Sequence, residues 1–283
     1  MKKLMVMVVL GCAALGAVSA KGESETAPAA QAGKGGGPAA YTIEVSGSTS
    51  VSPLMELLAA SYGKARGNVR ININGTGSSD GIKAAAAGTS ELGMSSRELS
   101  AAEKGQGLTE LVIAIDGIAV IVNKNNPVRS LSIDQIRDIY TGAVTDWSAV
   151  SGGAKRGRIA VVSREPGSGT RGAFEEIVKF QDKLLAGATE FDGTGAVKAE
   201  ISRNADAIGY ISLGSVDDSV STVNVDGVAA STDNVVNGRY KIARPFIVLY
   251  RKAQVKAETE SFLAWIMEAE AQKIVASSWI SVR

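Results

Sequence analysis

Three short segments of this chain have the make-up of anion sites: Gly47-Ser48-Thr49-Ser50, Gly77-Ser78-Ser79 and Gly167-Ser168-Gly169-Thr170. Each follows a strand-like stretch and precedes a helix-like one. A helix N-terminus leaves backbone N–H groups without partners and carries partial positive charge. Glycine lets an anion approach the backbone, and neighbouring hydroxyls add directional donors. Such a loop binds oxyanions. One alone is ordinary helix capping, because Ser and Thr are common N-caps; three in one chain favour a ligand. Arg164, three residues before Gly167, adds a guanidinium able to fork onto two oxygens of one anion. Its plain alternative is a surface arginine paired with Glu165.

Asp116 interrupts the apolar run at residues 111–122. It is therefore expected to be buried, and buried carboxylates are rare unless paired or hydrogen-bonded. It fits either a structural role, as an arginine's partner or a turn residue before Gly117, or an acceptor for a proton on the ligand. The second role has a chemical consequence. Hydrogen phosphate has a proton to donate near neutral pH and sulfate has none, so a carboxylate in the site admits the first and repels the second.

Other chemistry is excluded by composition. The 283 residues include no histidine and one cysteine, Cys12. A Ser-His-Asp triad, a Cys-His pair and a Cys/His zinc site are all ruled out. Gly77-Ser78-Ser79-Asp80-Gly81 matches the G-x-S-x-G of hydrolases, but that motif needs a general base, normally histidine. No G-x-x-x-x-G-K-[ST] loop is present, nor a closely spaced acidic cluster for a metal. The expectation is a binding protein without a cofactor, not an enzyme. The formal net charge is +1, and loss of residues 1–20, with Lys2 and Lys3 and no acid, leaves it near −1. That balance argues against nucleic acid as a partner.

The elements that would position these loops alternate between strand and helix. Residues 41–45, 69–73, 159–162, 208–211, 220–225 and 246–250 read as strands, and 111–122 as one long crossing strand or two joined at a bend. Helical spacing runs from Ser52 (an N-cap, with Pro53 at the first helical position), from Ile82, from Ser132, from the loop at Gly167, and over 259–275. Strand, Gly/Ser loop, helix is the recurring unit of α/β layers.

The first forty residues read as an address and a tether. A basic start, an apolar run at 4–18 and small residues before Lys21 form a secretory signal, residues 1–20. Val9-Leu10-Gly11-Cys12 also resembles a lipobox, which would make Cys12 a site of lipid attachment; simple cleavage near Ala20 is the favoured alternative. Residues 21–40 hold no large apolar side chain and are expected to be a flexible leader. The protein is thus expected outside the cytoplasm, periplasmic or lipid-anchored at the outer face of the membrane.

Seven blocks carry a family resemblance: SGSTSVSPL near 46, GTGSSDGI near 75, LGMSSREL near 92, IDGIAVIVNKNNP near 115, IRDIYTGAVTDWSAVSGG near 136, SREPGSGTRGAF near 163 and AIGYISL near 207. In order and spacing the chain resembles the phosphate-binding proteins of bacterial phosphate ABC importers. The resemblance implies a two-lobed periplasmic-binding-protein fold of type II, with mixed sheets, helices on both faces and a ligand cleft between lobes. It implies a first lobe of 41–120 plus 244–283 and a second of 121–243, joined by crossover strands. It also implies inorganic phosphate as ligand, an ABC permease as partner and a monomer. Thr49 and Ser50 fall on the first phosphate loop, Ser78 on the second, and Arg164, Ser168, Gly169 and Thr170 on the segment of the second lobe. Relatives place an aspartate in a third loop where this chain reads Met94-Ser95-Ser96-Arg97. Asp116 is then the candidate carboxylate. Ser95, Ser96 and Arg97 are candidate donors, unless Arg97 instead balances Asp116. Sulfate, molybdate or tungstate as ligand, a sensor without transport, and an exported phosphohydrolase are the competing readings. Tyr140, Trp147 and Trp265 read as core.

Overall fold

Alternating apolar side chains make Tyr41–Gly47 a strand (β1), and glycine at its end forces the chain to turn. Gly47 has φ +133°, and a Cβ there would lie 2.3 Å from the Met94 carbonyl oxygen. The computed structural model describes residues 41–283; the signal, leader and Cys12 readings lie outside them. After β1 come α1 (Ser52–Ala65), β2 (Val69–Gly75), α2 (Ser78–Ala87), β3 (Leu92–Ser95), α3 (Ala101–Lys104) and the long β4 (Thr109–Asn123). β5 (Ser130–Leu131), α4 (Ile133–Thr141), β6 (Ala160–Arg164), α5 (Gly169–Val178), β7 (Thr189–Phe191), α6 (Gly193–Arg203) and β8 (Ala207–Ser212) follow. The chain ends with β9 (Val220–Thr222), β10 (Asn224–Val225), α7 (Thr232–Val236), β11 (Ala243–Tyr250), α8 (Ala257–Ile266) and α9 (Ala269–Val275).

The main sheet is mixed and ordered β2-β1-β3-β11-β4-β8-β6-β7, with β9 also on β4. β1 is parallel to β2 and β3, and β6 is parallel to β7 and β8. The reversals occur at β11, antiparallel to β3 and β4, and at β4, antiparallel to β8 and β9.

β4 is one strand, not two. Residues up to Gly117 pair with β11, and from Ile118 onward the strand pairs with β8. The core changes at the same place. Ile113 and Ala114 pack with α1, α8 and α9, whereas Ile118, Val120 and Val122 pack with α4 and α5. On the return path, Tyr240 and Ile242 belong to the second core and Phe246 and Val248 to the first. This is a two-lobed periplasmic-binding-protein fold in which β4 and the entry to β11 cross between lobes.

Two boundaries differ from the sequence reading. Ser52 is the first helical residue of α1 and not its cap; its hydroxyl donates to the Ser48 carbonyl at 3.1 Å. The stretch 259–275 is two helices, broken at residues 267–268, and both pack on the first core. Tyr140, Trp147 and Trp265 are buried core residues.

Candidate functional site

Five loops deliver hydroxyls to one point between the lobes. The turn after β1 supplies Thr49 and Ser50. Gly77, with φ +97°, opens α2 at Ser78. The end of β3 supplies Ser96. Behind β6, the Ser168 hydroxyl caps α5 by accepting from the Arg171 N–H at 3.2 Å, which brings Gly169 and Thr170 forward. Gly193, with φ +81°, opens α6 at Thr194.

Thr170 is the hub. Its Oγ1 is 2.8 Å from Ser50 Oγ, 3.4 Å from Ser96 Oγ, and accepts from Arg244 Nη2 at 3.0 Å. Thr194 Oγ1 is 3.0 Å from Ser50 Oγ and 3.4 Å from Thr49 Oγ1. Ser78 Oγ accepts from the Ser96 N–H at 3.1 Å and lies 3.3 Å from Ser96 Oγ. Thr49, Ser50, Ser78 and Ser96 belong to the first lobe and Thr170 and Thr194 to the second. The Ser79 N–H also donates to the Gly167 carbonyl across the cleft at 3.1 Å. Five of the six hydroxyl residues are buried, Thr49 being the exception.

Two buried arginines border the cluster. Arg164 is paired with Glu165, as its plain alternative had it, but it is buried and not on the surface. Its Nε and Nη2 fork onto Glu165 at 2.8 Å each, while Nη2 also donates to Thr49 at 3.0 Å and Nη1 to Thr194 at 3.3 Å. Glu165 in turn accepts from the Gly193 N–H at 3.3 Å, tying two loops of the second lobe together. Arg244, on β11, faces Asp116 on β4; Nη2 is 3.2 Å from Asp116 Oδ2. Asp116 Oδ1 accepts from Ser212 Oγ at 2.9 Å and the Gly214 N–H at 3.4 Å. Burial pushes the Asp116 carboxyl up to about 6, against the pull of Arg244, Ser212 and Gly214. Burial likewise pushes the Arg244 guanidinium down, to about 10, with Asp116 opposing and Arg164 adding to the shift.

Dense, buried N–H and O–H donors and two guanidinium groups are suited to a tetrahedral oxyanion. Among the described residues no group of three or more Asp, Glu, Cys or His sits together to hold a metal ion.

The comparisons agree with that chemistry. A model of the PBP superfamily domain matches residues 32–270. A solved structure of a putative phosphate ABC transporter substrate-binding protein with bound phosphate, from Clostridium perfringens, is 48% identical, superposes with a TM-score of 0.84, and is matched over 86% of this chain and 100% of that one. The chain belongs to the PBP superfamily, in the family of phosphate ABC transporter substrate-binding proteins. The phosphate-binding protein PstS of Bacillus subtilis is 28% identical over 98% of this chain and 93% of its own. Phosphate-binding protein PstS 2 of Streptococcus agalactiae is 45% identical over 109 residues, a stretch covering 38% of this chain and only 37% of that protein.

In this substrate-binding protein the structure brings Thr49, Ser50, Ser78, Ser96, Arg164, Gly169 and Thr170 to one place. Ser95 is adjacent but turned away: its hydroxyl donates to the Arg97 carbonyl at 2.8 Å and accepts from the Arg97 N–H at 3.3 Å. Arg97 does not balance Asp116. It forks onto Glu103 at 2.8 Å and reaches Ser79 Oγ at 3.2 Å, which holds the Glu103 carboxyl down at about 2. Asp116 stands one side chain behind the hydroxyls, with Arg244 between.

Sequence reasoning missed Thr194 and Arg244, and both had signals. Gly193-Thr194-Gly195 is a fourth Gly/Thr segment ahead of a helix. Arg244 interrupts an apolar run, residues 242–250, in the way Asp116 interrupts the other crossing run.

Proposed function

We propose that this chain is an exported solute-binding protein that closes its two lobes on one inorganic phosphate and delivers it to the permease of an ABC importer. The observation that carries the reading is Thr170. A hydroxyl from the second lobe meets hydroxyls of two first-lobe loops and a buried guanidinium within 3.4 Å. The names of the relatives supply phosphate as the oxyanion. Thr49, Ser50, Ser78, Ser96, Gly169, Thr170, Thr194 and Arg164 are the proposed ligand set. Ser168 holds the N-terminus of α5 toward it, and Ser95 shapes the loop that carries Ser96.

The mechanism needs no covalent step. Phosphate first meets the donors of one lobe; closure adds those of the other and excludes water, which strengthens every charged hydrogen bond in the site. The ligand drives closure through contacts made only in the closed form. The domain limits proposed for the moving parts are 41–120 with 244–283, and 121–243. A monomer outside the cytoplasm, either released after Ala20 or lipid-anchored through Cys12, completes the proposal.

Calorimetric titration of the mature protein, stripped of anion, tests it with phosphate, sulfate and molybdate at neutral pH. One-to-one phosphate binding that excess sulfate leaves unchanged is expected. Preference for sulfate or molybdate removes phosphate as the ligand. Turnover of a phosphate ester by metal-supplemented protein overturns the binding-only reading.

A further inference from the structure

Opposite charges interrupt the two crossing strands, and they face each other. Asp116 and Arg244 are register partners on β4 and β11, their side chains 1% and 2% exposed. Removing both charges from water is costly, and their mutual attraction restores only part of that cost. An ion pair placed here does little for the fold that two apolar side chains would not do better.

The pair is also incomplete. Asp116 Oδ1 is occupied by Ser212 and Gly214, whereas Oδ2 has only the contact with Arg244, with no well-aligned hydrogen bond. Arg244 Nη2 is divided between Asp116 and Thr170, and its Nε and Nη1, both buried, have no hydrogen-bond partner among the described residues. The guanidinium carbon lies 5.3 Å from the Phe246 ring, which supports the charge without using its N–H groups directionally. Arg164 is the opposite case. Glu165 occupies two of its nitrogens and neutralises it. Of the two arginines at the hydroxyl cluster, Arg244 is the one with uncommitted donors and an incompletely held charge.

We propose that Arg244 is a second arginine that pairs with the bound oxyanion, beside Arg164, and that Asp116 is its positioning residue: it keeps the guanidinium on Thr170 until the anion takes over the charge. The inference rests on the phosphate reading above. Once the anion is in place, Asp116 becomes a like charge behind the site. The groups facing it are Arg244 on β11, Ser212 on β8 and the Gly214 N–H; beyond Arg244 stand Arg164 on β6 and Tyr210 on β8, the latter pushed up to about 12 by burial and so neutral. Among the described residues no other cation is paired with Asp116. With a carboxyl already raised to about 6 by burial, the added negative charge moves it further up. Asp116 therefore takes a proton from solvent as phosphate binds near neutral pH, and the proton rests on Oδ2.

This differs in sign from direct acceptance of a ligand proton. If Asp116 touches the ligand, Asp116→Asn weakens phosphate binding. If it restrains Arg244, Asp116→Asn tightens phosphate binding at pH 8 by about three- to tenfold, on the scale of one charge–charge interaction across a protein interior, and the gap from the unmodified protein closes by pH 5.

The experiment is calorimetry with inorganic phosphate on the mature protein, Asp116→Asn and the double variant Arg244→Gln/Asp116→Asn, from pH 5 to 8, in buffers of different ionisation enthalpy. The affinity ratio of any two proteins cancels phosphate's own ionisation, as does the difference in protons taken up. Expected are a larger proton uptake at pH 7 in the unmodified protein than in Asp116→Asn, and a loss of about 100-fold or more in affinity in the double variant, which leaves no unpaired buried charge to unfold it. Wild-type affinity in the double variant, or equal proton uptake with a pH-independent ratio in Asp116→Asn, overturns the proposal alone. Absence of phosphate binding by the unmodified protein overturns the functional reading and this inference together.

Discussion

Gly169 of the second lobe and Ser78 of the first approach so closely that a Cβ on Gly169 would lie 2.3 Å from Ser78 Oγ and 2.8 Å from Ser96 Oγ. The backbone of Gly169 is not in the left-handed region, so alanine suits α5 itself. The clash exists only between lobes. Gly169→Ala is therefore expected to leave the melting temperature of the ligand-free protein nearly unchanged while weakening phosphate binding. Overpacking of this kind costs about 1–3 kcal/mol, or roughly 5- to 150-fold. Small-angle scattering checks the cause: the variant should compact less than the parent on adding phosphate. Equal compaction and equal affinity would mean that the cleft closes without this contact.

Thr170→Val keeps the shape of the hub and removes its hydroxyl. The change deletes the acceptor used by Arg244 and the partner of Ser50 and Ser96. Hydrogen bonds to charged groups contribute about 1.5–3 kcal/mol, so phosphate affinity should fall roughly 10- to 150-fold. Thr194→Val, which removes contacts with Ser50, Thr49 and Arg164, is expected to weaken binding by a smaller factor. A titration in which Thr194→Val binds as the parent does would take Thr194 out of the ligand set.

Much of this site was legible because helix-start loops combine local backbone chemistry with side chains in one short segment. Thr49, Ser50, Ser78, Gly169 and Thr170 all sit on such segments, with Arg164 at the end of the strand just before one, and each announces itself without knowledge of the fold. Asp116 was visible as a charge in an apolar run, but its partner was not. Arg244 lies 128 residues away in sequence, and only the antiparallel register of β4 and β11 brings the two together. Arg97 was the partner the sequence offered instead, and α3 places Glu103 beside it. Ser95 and Ser96 could not be separated by sequence either. Successive strand residues point to opposite faces, and which one meets the cleft depends on where β3 ends. The break between α8 and α9 was hidden for a related reason, since both halves keep apolar residues at helical spacing.

Tyr210→Phe tests how the second lobe supports Arg164. The Tyr210 hydroxyl is 2.8 Å from Ser163 Oγ and accepts from the Arg164 N–H at 3.4 Å, and its ring stacks on Phe174 at 4.1 Å. Phenylalanine retains the stacking and strands the Ser163 hydroxyl. Loss of about 1–3 kcal/mol of stability is expected from the two buried hydrogen bonds removed, to Ser163 and from the Arg164 N–H, with a change of less than about threefold in phosphate affinity, because the Arg164 guanidinium remains forked onto Glu165. Chemical denaturation and calorimetry on the same variant separate the two effects.

Asp116 and Glu103 give the ligand-free protein an acid profile with opposed slopes. The Asp116 carboxyl is raised to about 6 in the folded protein. A raised acid contributes stability that is fully present below the unfolded value, about 4, and is lost as pH rises through 6. The shift corresponds to a contribution on the order of 3 kcal/mol. Glu103, held down at about 2 by Arg97, contributes in the other direction: its stability is present above the usual carboxylate range and is lost as pH falls toward 2. Melting temperature of the anion-free protein should therefore rise on acidification from pH 7 to about 4 and fall below that. Asp116→Asn should flatten the first limb and Glu103→Gln the second. An Asp116→Asn curve parallel to the parent between pH 4 and 7 would show that Asp116 carries its charge unchanged across that range, and that burial at the crossing strands is offset more fully by Arg244 than the geometry of the pair indicates.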